Sequence, residues 1–235
     1  MLQAALVDVG GTLWPDRWPP ATRYLYVARL SQDFSLAADQ VDRLLAELEK
    51  RDPALADPFP LVQDSHTMAA DALVAAGIDD VDPAELLRTM DLPAKGAIKP
   101  LDGAEDFLQQ LKSLGLRTIV FTNATYRTSA ACRRDFDAFG FGRFVDEIIS
   151  SVDHGYRKPN PQMFDAALQA AQCSPNEVVV VGDSEEKDIR PGRALGMRTI
   201  LVAIEVGRPE TSDADAVVIA LDQAAQVITG WARPR

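Results

Sequence analysis

Four short apolar runs, each ending at a polar residue, constrain this chain more than anything else in it. They are Ala4 to Val9 with Asp8 near its end, Arg117 to Phe121 before Thr122-Asn123, Asp146 to Ser150 ahead of Lys158, and Val178 to Val181 before Gly182-Asp183. Runs this short and this rich in β-branched residues, with no polar alternation, fit strands buried on both faces. Between and after them lie helical patterns, Gly103 to Leu114, Tyr126 to Phe139, Pro161 to Ala171 and Lys187 to Leu195, then two further strands, Thr199 to Val202 and Ala216 to Ile219. Gly115, Gly140 and Gly196 close three of the helices. Such alternation implies an α/β fold: a doubly wound, Rossmann-like parallel sheet with helices on both faces.

Residues 15–96 have a different character. Pro15, Pro19 and Pro20 interrupt the backbone, and no convincing strand follows for eighty residues. Val41, Leu44, Leu45 and Leu48 share one helical face, opposite Asp42, Arg43, Glu47 and Glu49. A second helix is expected from near Leu61 to Gly77, carrying Met68, Ala72, Leu73 and Ala76, and a third from Asp82-Pro83 to Met90, with Asp as cap and Pro in the first turn. Tyr24 to Leu30 supplies another. The expected organisation is therefore a core of residues 1–14 and 97–235 interrupted by an α-helical cap, 15–96, with Trp231 to Arg235 frayed at the end.

With 235 residues, 47% of them hydrophobic, the chain can bury a sizeable core. A net charge of −11 without clustered Lys or Arg excludes a nucleic-acid surface. Cys132 and Cys173 are the only cysteines, which suggests neither a disulfide framework nor a thiolate metal site and fits a reducing cytoplasm. The amino terminus has no basic region before its apolar run, and no stretch approaches membrane-spanning length, so a soluble, unanchored monomer or homodimer is expected.

In doubly wound sheets ligands bind beyond the carboxyl ends of the strands. That rule gathers Asp8, Thr122, Asn123, Lys158, Asp183 and Asp188 into one site. Three carboxylates need a positive counterweight, and the protein offers only Lys158, so a divalent cation is the natural remainder. An all-oxygen ligand set with no His or Cys selects a hard ion, Mg²⁺. An aspartate beside that ion, a cationic Lys and a Thr hydroxyl can attack a phosphoryl group in line and form an aspartyl phosphate. Gly10 and Gly11 let backbone amides approach the phosphate. Plainer roles exist for the same residues: Asp8 as a turn former, Lys158 as a solvated turn lysine, Asp188 as a charge at a helix amino terminus. Glu185 and Glu186 read as a solvated face.

The elements DVGGT, FTN, RKPNPQMF and GDSEEKD, in this order, resemble the four motifs of the haloacid dehalogenase superfamily of hydrolases. The resemblance implies Asp8 as nucleophile and metal ligand, and phosphate contacts from Thr122 and Lys158, with Gly11, Thr12 and Asn123 in the substrate-binding set. It implies a Mg²⁺ site of Asp8, the Gly10 carbonyl, Asp183 and Asp188, the last orienting a ligand or its water. The acidic loop Gly182 to Asp188 favours the phosphatase-like branch over the metal-free dehalogenating one. The chain departs from the family at Gly10, where most of its phosphatases carry an aspartate that moves protons. His66, His154 and Tyr156 are candidates to replace it; Trp14, Trp18 and Arg23 are candidates to line a substrate pocket. The expected activity is Mg²⁺-dependent hydrolysis of a small phosphorylated metabolite. Its rivals are a weakly catalytic phosphate- and metal-binding protein, or cleavage of a bond that needs no acid, such as a phosphonate, acyl phosphate or halide. A phosphonate route by imine formation would have only Lys50 and Lys95 of the cap to use. DVGGT alone also resembles the phosphate loop of sugar kinases, but Pro15, Pro19 and Pro20 stand where those place a second hairpin strand.

Overall fold

The structure, a computed structural model, describes residues 1–16, 22–52, 61–62, 64–91, 98–205 and 207–232. Six strands form one sheet: β1 (Ala4–Val7), β2 (Arg117–Thr122), β3 (Glu147–Ser150), β4 (Val178–Gly182), β5 (Arg198–Val202) and β6 (Ala216–Val218). Every pairing is parallel and the spatial order is β3-β2-β1-β4-β5-β6. The chain thus builds outward from β1 through β2 to β3, then returns to the other side of β1 as β4. The order reverses between β1 and β4, which makes the carboxyl ends of these two strands the switch point where such sheets bind ligands.

The two-residue alternation of strand side chains decides which helices cover which face. Ala5 and Val7 of β1, Val179 and Val181 of β4, and Ile200 and Val202 of β5 share an apolar cluster with Phe107, Leu108 and Leu111 of α5 (Ala104–Ser113). Phe136 of α6 (Ser129–Phe139) and Leu221, Ala224 and Ile228 of α10 (Leu221–Ala232) complete that layer. Ala4 and Leu6, Ile119 and Phe121, and Val178 and Val180 face the other way, against Met163, Phe164, Ala167 and Ala171 of α8 (Pro161–Ala171). Burying a side chain of the size of Leu or Phe contributes on the order of 1.5–3 kcal/mol, so both layers hold the central strands rigidly.

Among the described residues, four helices between β1 and α5 form a separate cluster: α1 (Thr22–Phe34), α2 (Ala38–Lys50), α3 (Ser65–Ala76) and α4 (Pro83–Met90). Val41, Leu44, Leu45 and Leu48 of α2 are buried in it against Ala69, Ala72 and Leu73 of α3 and Leu86 of α4. The loop after β2 ties this segment to the sheet. Thr125 Oγ1 donates to Asp52 at 2.9 Å, Tyr126 packs on the helical cluster, and Arg127 joins Asp91 beyond α4 to Asp135 on α6. No helix among the described residues is long and apolar enough to cross a membrane.

Several boundaries differ from the sequence reading. β1 stops at Val7, because the amides of Thr12, Leu13 and Trp14 all turn back onto the Val9 carbonyl. The helix expected from Leu61 begins at Ser65, where the Asp64 side chain caps the Thr67 amide. The helix expected from Tyr126 begins at Ser129, capped by Thr128. Lys187 to Leu195 is split into a π turn, Glu185–Ile189, and the short α9 (Arg190–Ala194), since Pro191 has no amide to continue a ladder and fits only a first turn. α7 (Ser151–His154) and α10 were not expected, and Trp231 lies inside α10.

Candidate active site

β1 delivers Asp8, 8% exposed, one residue past its end; the Asp8 amide still donates to Val181 of β4 at 2.9 Å. β4 ends in Gly182 and delivers Asp183. The π turn that follows brings Asp188, 1% exposed, back toward the same point. Each of the three carboxylates offers an oxygen within 4.8 Å of the others. Two glycines make this crowding possible. A Cβ on Gly11, whose φ is +66°, would stand 2.4 Å from Asp183 Oδ2, and a Cβ on Gly182 would stand 2.4 Å from Asp188 Cγ.

Lys158 lies at the centre, 1% exposed, between α7 and α8. Its ammonium donates to Asp8 Oδ1 at 2.6 Å, to Asp188 Oδ1 at 2.6 Å and to the Phe121 carbonyl at 3.0 Å. A lysine has three donors, so all are engaged. Asn123 holds the Lys158 backbone, with its Oδ1 accepting from the Lys158 amide at 2.7 Å and its Nδ2 donating to the Lys158 carbonyl at 3.0 Å. The side chain proposed as a substrate contact is thus bonded to the lysine's main chain.

The electrostatics follow from burial and crowding. Burial pulls the Lys158 ammonium down, but Asp188 and Asp8 outweigh it and hold it up at about 12. Burial, then the Asp8 and Asp188 charges, push Asp183 up to about 8 against the pull of Lys158. Asp188 is raised to about 6, chiefly by burial and also by the Asp8 charge, against the opposing pull of Lys158. The cluster carries more negative charge than Lys158 can balance.

The other expected residues fall as follows. Thr122, 6% exposed, ends β2, next to Ser150 of β3. Thr12 is fully buried and its hydroxyl has no partner among the described residues. Trp14, 5% exposed, packs its ring on Phe136 and Phe139 at 5.0 and 5.9 Å, so it is a core residue. Arg23 pairs with Asp42 on the helical surface, and Lys50 with Glu47. His66 and His154 are exposed on α3 and α7, while Tyr156 is half-buried and bridges Val62. Glu186 is exposed, but both Glu185 carboxylate oxygens are buried with no partner among the described residues, contrary to the solvated face expected for the pair. Trp18 and Lys95 lie outside the described residues. Sequence reasoning missed Arg157, 2% exposed, whose Nη1 donates to the Ala124 carbonyl at 2.9 Å and so braces the loop after β2. It also missed Asp16, whose Oδ1 lies 3.2 Å from where a Cβ on Gly10 would stand.

Comparison with known proteins bears on the family and the fold. The family model "haloacid dehalogenase-like hydrolase" matches residues 2–196. Among relatives, human "Haloacid dehalogenase-like hydrolase domain-containing protein 3" is 34% identical over 43% of this chain and 39% of its own length. "Glyceraldehyde 3-phosphate phosphatase" of Methanothermobacter thermautotrophicus is 32% identical over 48% of this chain and 49% of its own. The chain thus spans less than half the length of these relatives. "Ribulose-1,5-bisphosphate 5-phosphatase" of Halopiger xanaduensis is 26% identical over 92% and 90%. In fold the chain is similar to a 2-haloacid dehalogenase from Pseudomonas syringae pv. tomato, with TM-score 0.68 and 22% identity over 98% of this chain and 100% of that one. A HAD phosphatase from Thermococcus onnurineus gives 0.65 and 20% over 97% and 99%. With a family match that runs from the first strand to the glycine closing α9, this chain belongs to the haloacid dehalogenase-like hydrolases.

Proposed function

We propose that the protein is a Mg²⁺-dependent phosphohydrolase that removes phosphate from a small phosphorylated metabolite through an aspartyl phosphate on Asp8. The observation that carries this reading is the convergence of Asp8, Asp183 and Asp188 around the single ammonium of Lys158, at the switch point of the sheet. Three carboxylates against one cation leave room for a divalent ion, and a donor set made only of oxygen fits Mg²⁺. Asp8, Asp183 and the Gly10 carbonyl would hold it, with Asp188 supporting the set. When bound it supplies positive charge that offsets the phosphate oxygens.

The rest is done by the chain. Lys158 takes Asp8 Oδ1 and leaves Oδ2 as the attacking oxygen, fixed in direction by the second bond from Lys158 to Asp188. Asn123 fixes the lysine's main chain, so the ammonium can turn from Asp8 toward a phosphoryl oxygen as charge develops there. Thr122, the last residue of β2, donates its hydroxyl to another phosphoryl oxygen. The amides beside Gly11 approach the phosphate closely, which the positive φ there permits. The four-helix segment acts as a cap that closes over these strand ends and selects the substrate.

The test is hydrolysis of p-nitrophenyl phosphate with Mg²⁺ by the parent and by Asp8→Asn. Loss of the nucleophile is expected to reduce turnover by roughly 10³-fold or more, and acid quenching of the parent should trap an acyl phosphate on Asp8. An Asp8→Asn variant that turns over at the parent rate would sink the proposal.

A further inference from the structure

We propose that Asp16 is the proton carrier of this active site, reaching from six residues downstream into the space that Gly10 leaves without a side chain. The proposal rests on the reading of Asp8 as the phosphoryl acceptor. Transfer from an alkyl phosphate to Asp8 leaves an alkoxide that needs a proton, and the later attack of water on the aspartyl phosphate must lose one. Both events occur on the side of phosphorus opposite Asp8. Lys158 cannot serve there, because its three N–H groups are drawn to Asp8, Asp188 and the Phe121 carbonyl, on the nucleophile's side.

The backbone after β1 is folded so that Asp16 returns to this place. The amides of Thr12, Leu13 and Trp14 all donate to the Val9 carbonyl, and Trp14 forms a bridge with Gly10. The Trp14 indole is anchored on Phe136 and Phe139, so the turn is held by the core rather than by solvent. Asp16 then lies directly over Gly10. Its Cα is 3.5 Å and its Oδ1 3.2 Å from the position a Cβ on residue 10 would take. From beyond β5, Glu205 ties the segment down by accepting the Asp16 amide at 3.2 Å. The Asp16 side chain is exposed and pairs with no Lys or Arg among the described residues. It stands outside the trio of carboxylates that converge on Lys158. A carboxyl group is therefore presented where a side chain on residue 10 would begin, near the ionic centre but not within it.

The steps balance. As the bond from Asp8 to phosphorus forms and the ester P–O bond breaks, the proton on the Asp16 carboxyl passes to the leaving oxygen. Water then attacks phosphorus, its proton goes to the Asp16 carboxylate, and the Asp8–phosphorus bond breaks. Ester and water become alcohol and phosphate, and Asp16 ends protonated as it began.

The experiment compares the parent, Asp8→Asn and Asp16→Asn on two probes, glycerol phosphate and p-nitrophenyl phosphate, with Mg²⁺. General acid and base catalysis is worth about 10²- to 10⁴-fold, so Asp16→Asn should slow glycerol phosphate turnover by that factor. Nitrophenolate needs no acid to depart, so the same variant should release about one equivalent per enzyme in a burst, followed by slow turnover as the phosphoenzyme waits for its base. In an Asp16→Gly background, Gly10→Asp should recover at least about a tenfold share of the lost glycerol phosphate rate by returning a carboxylate to the same space. Unchanged turnover by Asp16→Asn overturns the proposal, as does equal slowing of both esters without a burst. If Asp8→Asn abolishes turnover while Asp16→Asn leaves glycerol phosphate turnover intact, only the role of Asp16 fails. If Asp8→Asn stays active, or the parent turns over neither ester, both readings fail.

Discussion

Lys158 makes this site possible and also leaves it unfinished. One ammonium, with all three donors engaged, faces three carboxylates, two of them buried and one half-buried, and burial pushes Asp183 up to about 8 and Asp188 up to about 6. Both values lie above the 3.8 of an unfolded Asp, so the folded state retains protons that the unfolded state releases. The sign follows directly: the stability tied to these two groups is fully present below the unfolded value and is lost as pH rises through about 6 and about 8. The groups that face Asp183 are Asp8, Asp188, Asp16 and Lys158, and Lys158, held up at about 12, keeps its charge throughout this window. In the presence of a chelator, the urea midpoint should therefore fall between about pH 5 and pH 8.5, and Asp183→Asn should flatten the slope. Added Mg²⁺ should stabilise most at the alkaline end, where the carboxylates are ionised. A midpoint that rises with pH in chelator would show that the cluster is not strained by charge. Four residues of this cluster were legible because each follows an apolar run or lies within a few residues of one. Asp16 was not, because its place depends on three amides turning onto one carbonyl and on a tryptophan anchored on Phe136 and Phe139 of α6, far away in the chain.

At the scale of elements, the strands were the easiest part to read. A parallel strand buried on both faces must be apolar at every position, and Val178 to Val181 admits no other interpretation. Boundaries set by hydrogen bonds were harder. The break at Pro191 could be read from its missing amide, whereas the π turn before it exists to carry Asp188 back to Lys158, a tertiary demand with no local signal. Leu221, Ala224 and Ile228 of α10 lie at helical spacing, yet the sequence reading placed no helix there and expected only a frayed end from Trp231 to Arg235. The structure shows α10 as part of the sheet's cover, packed on α5 and β6, with Ile228 fully buried. Ile228→Ala should therefore cost about 2–5 kcal/mol in equilibrium unfolding, as for other buried Ile to Ala changes, while Val227→Ala, only partly buried, should cost much less. Equal, small losses at both positions would mean that α10 does not cap the core. Because α10 packs chiefly on α5, β5 and β6, none of which bears a residue of the site, kcat should be unchanged in both variants under conditions where they remain folded.

For the molecule as a whole, charge and architecture pull in different directions. The sheet's switch point gathers the groups that would hold a phosphate, yet the chain has 35 acidic residues against 24 basic ones, a net charge of −11. Most of its basic side chains are occupied: Arg127 and Arg134 on Asp91, Arg143 on Glu105, Arg190 on Asp213, and Lys158 within the site itself. On the proposed reading, a phosphate monoester, itself doubly negative, would approach a chain of like net charge and would meet its positive partner, Lys158, only at short range. Long-range repulsion is screened over a Debye length of about 30 Å at 0.01 M salt and about 8 Å at 0.15 M, while the buried contacts of Lys158 are screened far less. It follows that kcat/KM should rise as ionic strength is increased over this range at a fixed free Mg²⁺ concentration, with kcat nearly constant, because only the encounter is affected. The measurement needs a salt whose anion does not bind the site, so chloride is preferred to sulfate or phosphate. A kcat/KM that falls with salt would mean that a local positive potential steers the substrate in, and the source to examine would then be the four-helix segment tied to the loop after β2. The fold was readable from hydrophobic runs because burial is a local property of the sequence; the field at the cleft is a sum over every charge in the molecule, and only the assembled structure fixes its sign.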